Sequence, residues 1–171
     1  MLRAHDDAMP DGVPTVATAF RKAGYRTAWF GKWHVDGAAN LGDAARSKFQ
    51  VVRPDRRGDF ETWIGYENAT EPFDCWVHGN HRNGDEIPAH KLPGYETDAL
   101  TSLLIDYVRD VGTTEPFFAS LSVLAPHPRY AAPARFTARH DPSKVVLRPN
   151  MPPVARIQEE ARQSLARYYA T

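Results

Sequence analysis

Two segments of this chain carry apolar residues at helical spacing and pass directly into a short apolar run. In the first, Val16, Ala19, Phe20 and Ala23 share one face of a helix that Thr15 can cap. Gly24 supplies a stop, and Tyr25 to Phe30 reads as a strand rich in aromatic and β-favouring residues, ended by Gly31. The second helix starts near Glu96 and carries Leu100, Leu103, Leu104, Tyr107 and Val108, offsets 0, 3, 4, 7 and 8. Gly112 closes it, Pro116 bars continuation, and Phe117 to Leu124 reads as an apolar strand of the kind buried on both faces. Between the two units the pattern is long and irregular. Near the end, Ile157, Ala161, Leu165, Tyr168 and Tyr169 predict an amphipathic helix over Val154 to Tyr169, leaving apolar surface and self-association as an expectation.

Helix-then-strand units of this kind belong to an α/β sheet with parallel strands and helices on both faces. Such sheets bind ligands in the crevice beyond the carboxyl ends of their strands. Gly31-Lys32-Trp33-His34 follows the first strand, and Ala125-Pro126-His127-Pro128-Arg129 follows the second. A lysine and two histidines converging there would suit phosphate, sulfate or carboxylate chemistry. Lysine acts as a point charge, and histidine as a hydrogen-bond donor or general acid to a leaving oxygen. The plainer alternatives are a solvated loop lysine, a satisfied structural histidine at 34 and a turn residue at 127.

Composition narrows this picture. The 171 residues carry 21 Lys+Arg against 21 Asp+Glu, and a zero net charge argues against a nucleic-acid partner. No apolar run reaches the ~20 residues of a membrane span, and the start lacks a secretory h-region, so a soluble, cytoplasmic chain is the default expectation. With one cysteine, Cys75, packing rather than an internal disulfide must hold the fold. Cys75, His78 and His81 invite a zinc reading, but structural zinc sites need a fourth ligand and different spacing. Phe73 to His78 reads instead as a partly buried strand or a substrate-side loop, Trp63, Tyr66 and Trp76 mainly as core, and Arg53, Arg56 and Arg57 as a solvated loop.

Gly24-Tyr25-Arg26-Thr27 followed by Gly31-Lys32-Trp33-His34 resembles a signature of the sulfatase family. Pro116-Phe117-Phe118 leading to Ala125-Pro126-His127 is similar to another of its segments, as are Arg56-Arg57-Gly58 and Gly94-Tyr95-Glu96-Thr97-Asp98. Leu147-Arg148-Pro149-Asn150-Met151-Pro152, ahead of Arg167-Tyr168-Tyr169-Ala170, resembles the choline-sulfatase and arylsulfatase-like branch. The resemblance runs in order over residues 10–171. It implies part of an alkaline-phosphatase-like α/β sheet and hydrolysis of a small-molecule or carbohydrate sulfate ester. It also implies a formylglycine nucleophile and a calcium or magnesium ion in the complete enzyme. Lys32 would bind sulfate oxygens, His34 would hydrogen-bond the formylglycine hydrate, and His127 would contact sulfate and assist the leaving oxygen.

The departures shape the expectation equally. Cys75 is followed by Trp76-Val77-His78-Gly79, not by the Pro/Ala and Arg of the precursor motif. The acidic metal-binding pair is not matched by Asp6-Asp7, so no metal ligands are expected in this chain. The expectation is therefore a single partial catalytic domain spanning 1–171, incomplete at both ends, that alone is not catalytically competent. Two alternatives stay open: a noncatalytic anion-binding remnant, and a phosphonate or phosphodiester hydrolase of the same superfamily.

Overall fold

The computed structural model describes residues 7–37, 48–69, 71–128 and 130–171. The chain divides into two units, Met1–Leu124 and Ala125–Thr171.

In the first unit Thr15 caps α1 (Val16–Lys22) through a reciprocal capping box with Thr18, as its position before the apolar stripe implies. The chain then enters β1 (Arg26–Lys32). Gly31 does not end this strand. It lies inside it at φ +103°, where a Cβ would stand 2.0 Å from the Ser122 carbonyl oxygen. Glycine is needed there for close backbone approach, and the strand runs on to Lys32.

The middle that looked irregular holds three strands: β2 (Thr62–Tyr66), β3 (Trp76–Asn80) and β4 (Glu86–Lys91). The second helix-strand unit supplies α2 (Glu96–Val111) and β5 (Phe117–Ser122). β5 stops two residues before Leu124 and is half-buried along its length, because among the described strands it pairs with β1 alone. Among the described residues the sheet order is β4-β3-β2-β1-β5. β1 pairs parallel with both β2 and β5, while β2-β3 and β3-β4 are antiparallel. The sheet is thus α/β with a parallel centre and an antiparallel extension.

Among the described residues each face is covered by one helix. On one, Phe20 of α1 stacks on Phe118 at 4.3 Å beside Trp29, Trp63 and Phe60. On the other, Tyr107 of α2 meets Phe30 at 5.7 Å and Phe117 at 5.9 Å, with Leu100, Ile64, Tyr66 and Val77 buried around them. Burying each such side chain contributes about 2 kcal/mol.

Arg56 and Arg57 are not solvated. Arg57 is 2% exposed, with Nε donating to the Val52 carbonyl, Nη1 to Asn80 Oδ1, and both terminal nitrogens to Glu86 at 2.8 and 2.9 Å. Arg53 is exposed, as expected. Cys75 and His78 are buried, and His78 Nε2 accepts the Val52 amide at 2.8 Å, which takes the lone pair a metal would need.

The second unit contains α3 (Ala134–Thr137), a single 3-10 turn that Asp141 caps through Ser143, and α4 (Ala155–Ala170). The buried line of α4 runs through Ala166 and Ala170, with Leu165 half-buried. Ile157, Tyr168 and Tyr169, read from sequence as its apolar face, are largely exposed, because small residues can approach a neighbouring backbone where tyrosines cannot. Tyr168 still packs edge-on against Tyr130 at 5.6 Å. No helix of the described residues is long and apolar enough to cross a membrane.

Candidate functional site

The site grows out of the carboxyl end of β1. Lys32 is the last residue of that strand and sits in register with Tyr66 of β2. Two further bonds carry the chain past the strand end: the Trp33 amide donates to the Tyr66 carbonyl at 2.8 Å, and the His34 amide to the Glu67 carbonyl at 2.9 Å. The Trp33 indole donates to the Arg56 carbonyl and packs edge-on against Trp29 and Trp63. Arg56 in turn holds Asp36 at 2.7 Å and bonds Asp11 and the Met9 carbonyl. The loop carrying His34 is therefore pinned from both sides. His34 itself has φ +56°, a left-handed conformation that costs a non-glycine residue on the order of 1 kcal/mol and is concentrated at functional sites.

Lys32 is half-buried. Burial holds its ammonium below the ordinary lysine value, and the nearby charges of Glu96 and Glu67 oppose that shift. Among the described residues no carboxylate lies within ion-pair distance of it. The ammonium is partly desolvated, and no ion pair with a described residue holds it.

Two carboxylates that sequence reasoning missed flank it. Glu67 is 0% exposed, and its Oε1 accepts the Asp36 amide at 3.0 Å. Burial raises its pKa, against the amides of Asp36, Val35 and His34. Its Oε2 has no hydrogen-bond partner among the described residues. Glu96, 1% exposed in the first turn of α2, takes the Tyr66 hydroxyl on Oε1 and the Leu124 amide at 3.2 and 3.1 Å on its two oxygens. Burial raises its pKa too, and the Tyr66 bond, the Leu124 amide and Lys32 pull it down. The only signal in the sequence was the presence of Glu96 in the Gly94–Asp98 segment that resembled the family.

His127 belongs to the second unit, where it is exposed with Nδ1 3.2 Å from the Pro128 carbonyl. Arg129 and Asp6 lie outside the described residues. Among those residues no three His, Cys, Asp or Glu side chains are grouped to hold a metal ion. Cys75 is 2% exposed, and burial followed by the charges of Glu96 and Asp74 pushes its thiol up to about 12.

A partly parallel sheet with a half-buried cation at the carboxyl end of a central strand is a frame on which α/β proteins can hold anionic ligands. The sulfatase family model matches residues 3–171, and the chain belongs to the sulfatase family. It is 28% identical over 169 residues to the ulvan-active sulfatase of Formosa agariphila, covering 97% of this chain and 30% of that protein. The fold is similar to that of yidJ from Bacteroides fragilis, assigned to the sulfatases, with a TM-score of 0.75 at 20% identity over 95% of this chain and 37% of that one. It is also similar to BT4656, solved with its substrate D-glucosamine-2-N,6-O-disulfate, with a TM-score of 0.59 at 19% identity over 86% of this chain and 26% of that one. The chain thus spans about a third of the length of its relatives.

Proposed function

We propose that this chain supplies the anion-contacting part of a sulfuric ester hydrolase acting on sulfated carbohydrate. Lys32 binds the sulfate oxygens through its ammonium, which is preplaced and already stripped of part of its water. His34, held at a fixed angle by the pinned loop, donates a hydrogen bond beside the sulfate. His127 assists the leaving oxygen. In the overall reaction the ester S–O bond breaks, water supplies the new oxygen on sulfur, and the leaving alcohol oxygen takes a proton.

The observation that carries this reading is the uncommitted Lys32 ammonium at the strand end of a sulfatase-family chain. The carbohydrate substrate class follows from relatives whose names specify ulvan and a glucosamine disulfate. The calcium or magnesium ion and the formylglycine that the family implies do not fit the residues described. These offer no acidic cluster, and Cys75 is a buried thiol outside the precursor motif. A second reading, supported by the same Lys32 ammonium, is a chain that holds an anion without turnover.

Titration with inorganic sulfate, alongside hydrolysis of an aryl sulfate, tests the proposal. Sulfate binding should fall about tenfold or more in Lys32→Ala, the size expected for losing one charge-assisted contact. Equal affinity in the variant would overturn the assignment of Lys32, and aryl sulfate hydrolysis that is lost in Lys32→Ala would exclude the second reading.

A further inference from the structure

We propose that Glu96 is a positioning residue of this site, bracing the ends of β2 and β5 with one carboxylate and setting the field in which the Lys32 ammonium sits. The inference rests on the anion-site reading of Lys32.

Glu96 reaches into the sheet from the first turn of α2, whose start is fixed by its own amide donating to the Pro72 carbonyl at 2.8 Å. The hydroxyl that it accepts belongs to Tyr66, the register partner of Lys32 across β1-β2. The amide that it accepts belongs to Leu124, two residues beyond β5, the other neighbour of β1. One side chain therefore joins the ends of both strands that flank the strand carrying Lys32. Tyr66 donates its hydroxyl and Leu124 its amide to the Glu96 oxygens, bonds that favour the ionised carboxylate. Burial of an acid at 1% exposure opposes ionisation, and Lys32 offsets that cost. The support is mutual: Glu96 raises the Lys32 pKa, and Lys32 lowers that of Glu96.

Other groups bear on the pair. Glu67 also faces Lys32, and the Tyr66 hydroxyl and Cys75 thiol face Glu96. Both of these stay neutral at ordinary pH, since burial and the Glu96 charge push their pKa values up. The charge that responds to Glu96 is that of Lys32.

The Lys32 ammonium is titrated through its 13Cε signal in the unmodified chain, in Glu96→Gln and in Tyr66→Phe. Glu96→Gln should lower the Lys32 midpoint by about one pH unit, a tenfold change in the protonation constant. Tyr66→Phe, which cuts a tie but removes no charge, should leave it within a few tenths. A purely structural Glu96 would leave the Lys32 midpoint unmoved in both variants, and that result overturns the proposal. If Glu96→Gln does not fold, the reciprocal measurement replaces it: Lys32→Met should raise the Glu96 carboxyl midpoint by a similar amount, and no shift overturns the proposal equally. Sulfate titration separates the two failures. Binding that survives Lys32→Ala defeats the anion site, whereas binding lost in Lys32→Ala with an unmoved midpoint in Glu96→Gln defeats only the role of Glu96.

Discussion

Arg57 and Lys32 are both cations drawn out of water by this sheet, and they are treated in opposite ways. The Arg57 guanidinium is bonded to Val52, Asn80 and both oxygens of Glu86, and lies 5.4 Å above the Trp63 ring. The Lys32 ammonium has two buried carboxylates in its field, but among the described residues none within ion-pair distance. A committed cation holds structure together. An uncommitted one keeps its charge available at a desolvation cost that a folding argument alone would not explain. The contrast separates the basic residues that build this fold from the one positioned to meet an anion.

Removing each cation in turn should have very different effects on stability. Arg57→Ala should cost about 3 kcal/mol of stability, since it strips a buried hydrogen-bonded network and opens space beside Trp63. Lys32→Ala should change stability by less than about 1 kcal/mol, because the desolvation cost of the ammonium that it relieves opposes the lost attraction to Glu96 and Glu67. Thermal or urea denaturation of the two variants reads both values, and similar losses would erase the distinction.

The committed region also makes a pH prediction. His78 is held neutral, its pKa lowered from 6.5 to about 4 by burial and then by the Arg57 charge. The folded chain binds fewer protons than the unfolded one between those values. Stability is therefore full above pH 6.5 and is lost as pH falls toward 4, by up to about 3 kcal/mol. Glu67 and Glu96 act in the opposite sense: with folded pKa values raised above 4.5, they cost stability as pH rises. Comparison with His78→Gln, which can still accept the Val52 amide, isolates the histidine. Its stability loss between pH 7 and pH 4.5 should be smaller than that of the parent, and parallel losses would remove His78 as the cause.

The parts legible in the sequence were those specified by near neighbours. Thr15 caps α1, Gly24 and Gly112 stop helices, and the Leu100 to Val108 stripe marks α2. Once two helix-strand units were seen, Lys32 and His34 followed as strand-end residues, and the structure puts both beyond the middle of β1 on one pinned stretch. What stayed hidden depended on distant partners. β2 is five residues with Gly65 at its fourth position, and that glycine is required because a Cβ there would stand 2.2 Å from the Gly31 carbonyl oxygen. β4 is a polar edge strand containing Pro88, which periodicity passes over. Arg57 reads as solvated because Asn80 and Glu86, which satisfy it, lie 23 and 29 positions away. Glu96 reads as an ordinary helix-start acid because Tyr66 and Leu124 lie 30 and 28 positions away.

The pH dependence of inorganic sulfate affinity reports directly on whether the Lys32 ammonium holds the anion. Lys32 must be protonated to attract sulfate, and its pKa lies below the ordinary 10.5. Affinity should therefore hold at neutral pH and fall as pH rises through a midpoint below 10.5, a transition that Lys32→Met abolishes. A flat profile, or the same alkaline transition in Lys32→Met, would contradict the account.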